Sequence, residues 1–328
     1  MRIFAWHMHG GWMDAFVRGE HHYLLPIDQK GDGGIGGRDW DRDHVLELPA
    51  DESRSASPDV LVLQRLEEFE WAETLLGLRP GRDIPTVFVE HNTPRDNVPE
   101  SRHPLADRDD IVIAHVTHFN ALFWDTGSTA TTVIEHGIVD RGYLYTGELE
   151  RMGVVINEPV RRWRVTGSDL IGGFSRVAPV DVFGMKADGL AERLGVGASA
   201  VANAGDLPTD ELHRELARRR LYLHTPRWTS LGLSLLEAMH AGLPVVGVEA
   251  TEISRAVPPD AGVVSSRLSE LEAGARRFLA DADAARAAGM VAREFALERY
   301  GLGRFLADWD SVLADAVEDF TRRTRSAQ

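Results

Sequence analysis

The feature that most constrains this chain is a recurring short apolar run, too short for a buried helix and too uniformly apolar for a half-exposed strand. Seven such runs occupy the first 137 residues: RIFAWH (2–7), HYLLPI (22–27), HVLELP (44–49), DVLVLQ (59–64), PTVFVEH (85–91), DIVIAHV (110–116) and TTVIEHG (131–137). Strands that are apolar on both faces belong to parallel sheets covered by helices, and helical patterns such as LEEFEWAETLLG (66–77) lie between some of them. Several runs turn polar at their carboxyl ends, at His7, Gln64, His91, Thr117 and His136. In an open α/β sheet that edge is where ligands bind.

The pattern restarts near residue 150. GVVIN (153–157), PVDVFG (179–184), LYLHT (221–225), PVVGV (244–248) and GVVSS (262–266) are strand candidates. They alternate with helical stretches near 166–174, 187–194, 208–219, 230–242 and 267–280. At 328 residues the chain is long for one core, so two α/β domains are expected, over 1–150 and 151–300. The tail from 282 to about 324 reads as charged helix, with Phe305, Leu306, Trp309, Val312, Leu313 and Val317 along one stripe. The glycine-rich tract 31–37 matches G-x-G-x-x-G, but RDWDRD follows it rather than a helix, so a loop is expected there.

A net charge of -15 argues against nucleic acid as a partner, because phosphate contacts need a basic face. Any phosphate-bearing ligand must then be held by a local cluster. With no cysteine there is no disulfide, thiolate metal site or cysteine nucleophile. Lys30 and Lys186 are the only lysines, so the glycine tract is not a P-loop and a Schiff base is not expected. No stretch approaches the roughly 20 apolar residues of a membrane span, and the start lacks a signal-peptide run, which makes the cytoplasm the default location.

One helix poses a specific problem. TPRWTSLGLSLLEAMHAGLPVVGV (225–248) is apolar or small almost all round, yet Glu237 sits in its middle. Burying a carboxylate without a partner costs several kcal/mol. Thr229 or Ser230 can cap this helix, Gly232 allows close approach to its first turn, and the free N–H groups there suit an anion. On a period of 3.6, Ser230, Ser234, Glu237 and Ala241 form a small polar stripe. A diphosphate at the helix start would send its nucleoside along that stripe, where Glu237, about 10 Å down the axis, can accept both hydroxyls of a ribose. A pairing with an arginine, or exposure to water, would also relieve the carboxylate.

These residues resemble the family-four retaining glycosyltransferases of GT-B fold, two Rossmann-like domains facing across a cleft. EAMHAGLPVV (237–246) is similar to the run that follows the family's ribose-binding glutamate, which maps to Glu237. The family's first glutamate, which contacts the transferred sugar, maps to Thr229, a departure that bears on the donor sugar. VIEHGIVD (133–140) resembles the end of the family's first domain, with His136 where asparagine is usual. GVVINEPVRRWRVTGSDLI (153–171) resembles the opening of the second, where an arginine and a lysine clamp the diphosphate. The lysine position falls near Thr166, so the resemblance implies a clamp from Arg161, Arg162 and Arg164.

By the same resemblance the backbone of Gly10 and Gly11 meets the diphosphate, and His91 in VEHNTP (89–94) binds the transferred sugar. Gly205 and Leu207 in AGDLPTDELH (204–213) cup the nucleobase, and Ser230, Leu231, Gly232 and Leu233 line the donor helix start. His9, Trp12 and His136 fall on the acceptor side, with Trp6, Trp40 and the polar segment 93–110 as weaker leads. The tail helix over 301–328 would cross back to the first domain.

The chemistry implied is transfer from a nucleoside diphosphate sugar to a hydroxyl of a glycan, a lipid-linked or a small-molecule acceptor, with retention at the anomeric carbon. Arginines and a helix N-terminus would stabilise the leaving diphosphate, with no metal and no cofactor beyond the sugar nucleotide as co-substrate. Peripheral membrane contact is compatible with a lipid-linked acceptor. Two alternatives stand beside it. One is a GT-B protein that binds a sugar nucleotide without transferring it, or an epimerase of that fold. The other is a metal-dependent hydrolase barrel using His7 and His9 of WHMHG (6–10).

Overall fold

The computed structural model describes residues 1–328 apart from Gln29, Asp96, Asn97, Ala327 and Gln328. The chain divides into two compact units, Met1–Val139 with Leu302–Gln328, and Asp140–Gly301.

The first unit contains β1 (Arg2–Ala5), β2 (His22–Ile27), β3 (Val45–Pro49), β4 (Val60–Leu63), β5 (Thr86–Glu90), β6 (Val112–His115) and β7 (Ala130–Val133). They form one sheet in the order β3-β2-β1-β4-β5-β6-β7. Every pairing in it is parallel. Each named strand coincides with an apolar run. The central strands β4 and β5 are buried throughout, whereas β3 and β7 at the edges carry exposed residues, as edges open to solvent require. Helices α1 (Gly10–Phe16), α2 (Glu67–Leu76) and α3 (His118–Phe123) connect them.

The second unit contains β8 (Leu149–Val155), β9 (Val180–Phe183), β10 (Val201–Gly205), β11 (Arg219–His224), β12 (Val245–Val248) and β13 (Gly262–Ser265). Their order is β10-β9-β8-β11-β12-β13, again parallel throughout. Helices α4 (Pro159–Arg162), α5 (Ser168–Phe174), α6 (Leu190–Leu194), α7 (Thr209–Ala217), α8 (Leu233–Ala241), α9 (Ile253–Ala256), α10 (Leu268–Ala280) and α11 (Ala282–Arg299) belong to it. The core gathers Met152, Val154, Val182, Leu223 and Val246 of the strands with Ile171, Leu271 and Phe278 of the helices.

Two local expectations, at β10 and at HGG, are corrected. β10, VANAG, falls where the sequence suggests only the approach to a loop. It is an edge strand of small residues with one buried side chain and a register shift against β9, so it carries no apolar run to betray it. The helical tail divides where the separate 301–328 helix is expected: α11 ends at Arg299 and α12 (Leu302–Ser326) begins after Gly301, where a Cβ would press on the Leu297 carbonyl. α12 belongs to the first unit, burying Phe305, Trp309, Leu313 and Ala316 at helical spacing, the apolar stripe read from sequence. The short α1 replaces the glycine loop expected at HGG, so Gly10 and Gly11 are its first two residues. Two open parallel sheets also exclude the barrel on which the metal-hydrolase alternative depended.

Candidate functional site

In both sheets the chain starts in the middle, runs outward one way, then returns to build the other side. The reversal falls between β1 and β4 in the first unit and between β8 and β11 in the second. At such a switch the loops after adjacent strands part and leave a crevice at the carboxyl edge. Each unit has a candidate site of its own there.

In the second unit, β8 leads through Glu158, in left-handed conformation, into α4, whose first residue is Pro159. Glu158 accepts hydrogen bonds from Arg161 and, at 2.9 Å, from Lys186. These cations, Arg161 first, hold its carboxyl down at about 2. Arg164 and Arg227 share Asp169, with distances of 3.0 Å for the first and 2.6 Å for the second. Arg162, half-buried, has no carboxylate partner among the described residues, and its pKa is lowered by desolvation and then by the charge of Arg161. Five cations, Arg161, Arg162, Arg164, Lys186 and Arg227, thus face two carboxylates, Glu158 and Asp169. In a chain of net charge -15 this edge is locally positive.

The two loops at this edge are tied together. Thr225 Oγ1 donates to the Thr166 carbonyl at 2.7 Å, and Arg227 N–H donates to that of Val165 at 2.9 Å. Gly167, at φ 66°, lies against the Thr225 carbonyl where a Cβ could not fit. Thr166, at the family's lysine position, is buried and hydrogen-bonded to Ser168 and the Trp163 carbonyl, so it faces the loop interior rather than a ligand.

α8 starts later than the sequence indicates. Its N-cap is Gly232, without a side-chain cap, because Thr229 and Ser230 lie in a bend before it; Ser230 and Leu231 are buried, and Thr229 is half-buried. Leu233 is therefore the first helical residue. The ring of His224 lies beneath Gly232, with burial holding it down at about 4. Along the small stripe Ser234 hydrogen-bonds Tyr222 at 3.0 Å. Glu237 is 17% exposed, and its partner is not an arginine but His213 of α7, Nε2 to Oε2 3.3 Å and off the line a hydrogen bond needs. His213 escaped the sequence reading, although it stands with Leu216 and Ala217 on the buried stripe of α7, the signal that could have exposed it. Gly205 ends β10 and Leu207 follows it, both half-buried.

In the first unit, His9, Gln64, His91 and His136 converge from the loops after β1, β4, β5 and β7. His9, itself in left-handed conformation at φ 48°, stacks on His91 with ring centres 4.0 Å apart. His91 Nε2 is 3.0 Å from Gln64 Oε1. Burial pushes the His91 pKa well down, with the neighbouring His9 and His136 adding to it, and holds His136 at about 4. His136 is fastened by Arg304 of α12, which donates to the carbonyls of Glu135 and His136 at 2.8 Å each.

Three tryptophans expected toward the acceptor are core instead. Trp12 is 1% exposed, stacked on Phe16 and edge-on to Trp309, because the short α1 turns it onto α12. Trp6 packs on Phe4, and Trp40 donates to Asp14 at 2.8 Å. His136 is likewise buried, not presented to an acceptor. Asp96 and Asn97 of segment 93–110 lie outside the described residues. His7 and His9 do not converge: His7 Nδ1 contacts the Gly34 carbonyl at 3.1 Å while His9 turns to His91. Among the described residues no three His, Asp or Glu side chains group to hold a metal ion.

Residues 159–310 match the family model described as Glycosyl transferase-like. Sucrose-phosphate synthase from Thermosynechococcus elongatus superposes over 100% of both chains at 12% identity and TM-score 0.72. HepE from Anabaena, solved with UDP and glucose, covers 96% of this chain and 100% of its own at 14% identity and TM-score 0.73. The match to the family model is confined to residues 159–310, and the fold of the chain is that of the two-domain GT-B structures. The matched residues include α4, α8 and the arginine-rich edge. S. aureus TarM, solved as a point mutant with Fondaparinux, alpha-GlcNAc-glycerol and UDP, matches 77% of this chain at 13% identity and TM-score 0.60. The chain spans 55% of the length of TarM. No curated protein matches the sequence. Among the described residues no helix is long and apolar enough to cross a membrane.

Proposed function

We propose that the chain is a retaining, metal-independent glycosyltransferase that moves a sugar from a nucleoside diphosphate sugar to an acceptor hydroxyl. The observation that carries this reading is the edge within residues 159–310 where five cations meet two carboxylates and Arg162 keeps a half-buried charge that makes no ion pair among the described residues. A diphosphate supplies the missing negative charge, and Arg162 grips it with its planar fork. The uncapped start of α8 adds N–H donors toward the same charge as it grows on the leaving group. Glu237 takes the ribose hydroxyls, and the loop after β10, at Gly205 and Leu207, borders the base.

In the first unit the candidate ligand groups are the N–H groups of Gly10 and Gly11 at the start of α1 and the ring of His91. The departing phosphate takes the acceptor's proton on the face it leaves, so no side-chain nucleophile, metal or bound cofactor is required. HepE, TarM and a pneumococcal O-GlcNAc transferase are solved with UDP, which makes a uridine diphosphate sugar the first donor to try. The acceptor is a glycan, a lipid-linked glycan or a small molecule.

Thermal unfolding with millimolar UDP, GDP, ADP and TDP tests the donor site. Ligand at about 100 times its dissociation constant stabilises the folded state by roughly 2.7 kcal/mol, a shift of several degrees for a chain of this size. One diphosphate should shift the midpoint, and Glu237→Ala and Arg162→Ala should each reduce the shift. No shift from any of them, in folded protein, would sink the proposal. Thr229, in place of the family's sugar-binding glutamate, favours a second reading as a sugar-nucleotide binder without turnover. Binding with no release of diphosphate from any sugar conjugate would establish that one.

A further inference from the structure

The arginine-rich edge of the second unit carries an anion of its own. Glu158 Oε2 accepts from Arg161 through Nε at 3.0 Å and through Nη2, and Glu158 Oε1 accepts from Lys186 Nζ at 2.9 Å. The backbone beneath it is fixed on both sides. The Glu158 N–H donates to the Met185 carbonyl at 2.8 Å, and its carbonyl accepts from the Arg162 N–H at 2.9 Å. Met185 N–H in turn donates to Asn157 Oδ1 at 2.9 Å, which ties the loop after β8 to the loop after β9. Only the side chain of Glu158 is left to move. Its carboxylate is 21% exposed and its partners are 70% and 77% exposed, so rotation within the side chain carries it into water without disturbing either loop.

Arg161 comes from α4 and Lys186 from the loop after β9, and both converge on one carboxylate as they would on a phosphate. Without that carboxylate, two long exposed cations beside Arg162 would repel one another and spread over many rotamers. Asp169 is a different case. Arg227 grips it with two N–H groups, at 2.6 and 3.0 Å, and is 26% exposed, so this pair is closed where the Glu158 pairs are open. Exposed ion pairs are weak, whereas phosphate contacts to arginine are charge-assisted and bidentate, so a diphosphate can take the two cations from Glu158. It does so against an anion tethered beside them, which stays at high effective concentration.

We propose that Glu158 is a built-in competitor for the diphosphate, holding Arg161 and Lys186 in place while the site is empty and reclaiming them as the nucleotide leaves. The inference rests on the reading that this edge binds a nucleoside diphosphate. Arg162, which makes no ion pair among the described residues, is the cation a phosphate meets without displacing anything. The second phosphate is the one that has to move Glu158.

The test uses the full chain with UDP, UMP and inorganic pyrophosphate as probes, calorimetric titration for affinity and stopped-flow displacement for dissociation. Pyrophosphate reports on the cations alone, whatever the base. Glu158→Gln keeps the size and one acceptor oxygen and removes the charge. It should bind UDP and pyrophosphate about 10-fold more tightly, mostly through slower dissociation, and UMP less than about 3-fold more tightly. Unchanged or weaker binding of UDP and pyrophosphate in Glu158→Gln, at an unchanged unfolding midpoint, would overturn the proposal. So would an equal gain for UMP, which would make the effect long-range repulsion rather than displacement. Probes that bind neither wild type nor Glu158→Gln, or that bind Arg162→Ala as well as wild type, would instead overturn the nucleotide reading itself.

Discussion

At the scale of single residues, neighbours with the same chemistry differ in what they already hold. Arg161 is 70% exposed and bonded to Glu158, whereas Arg162 is half-buried and, among the described residues, makes no ion pair, feeling Glu158 only as the weakest of the influences on it. Freeing Arg161 for a ligand means breaking an existing pair, and freeing Arg162 does not. Arg162→Ala should therefore weaken nucleotide diphosphate binding by about 10-fold or more, and Arg161→Ala by less, in a calorimetric titration. Equal losses would contradict this ranking. Glu237 is similar, since His213 stands beside one oxygen. His213→Ala should reduce the preference for a ribonucleotide over its 2′-deoxy form, because the carboxylate loses the group that orients it. An unchanged preference would leave His213 as packing alone.

At the scale of elements, the site depends on how loops are locked. The bond from Thr225 to the Thr166 carbonyl and the glycine at 167 join the loop after β8 to the loop after β11. Gly167→Ala should lower stability and nucleotide affinity together, since a left-handed φ and the Thr225 carbonyl both oppose a Cβ. Thr225→Val should cost about 1 kcal/mol in chemical denaturation, the loss of one buried hydrogen bond. The glycine of EAMHAG has the same logic: Gly242, at φ 92°, ends α8 in left-handed conformation, with Tyr143 against it. α12 is held by its stripe, and Leu313→Ala should cost about 2–5 kcal/mol in the first unit.

For the whole molecule, buried histidines make stability depend on pH. His115 and His136 in the first unit and His224 in the second are each held by burial at about 4, against an ordinary 6.5. Between those values the unfolded chain binds protons that the folded chain refuses. Each histidine therefore contributes stability that is present above 6.5 and lost as pH falls toward 4, by about 1.4 kcal/mol per pH unit. Denaturation followed by hydrogen exchange, which separates the units, should show the first unit losing stability more steeply. His224→Asn should flatten the slope of the second unit alone.

The sequence by itself determined the parallel sheets, because strands buried on both faces leave apolar runs that the central strands cannot disguise, and it determined the motif of α8, because glycine, proline and small residues there answer to local backbone geometry. Edge strand β10 was illegible for the converse reason, since an edge needs little apolar surface. The direction in which a side chain points was decided only by tertiary structure. Trp12 reads as a surface aromatic until α12, from the other end of the chain, covers it, and Glu237 has no visible partner until α7 brings His213 beside it. Local patterns specify which backbone forms, while packing between distant segments specifies which polar atoms remain available to a ligand.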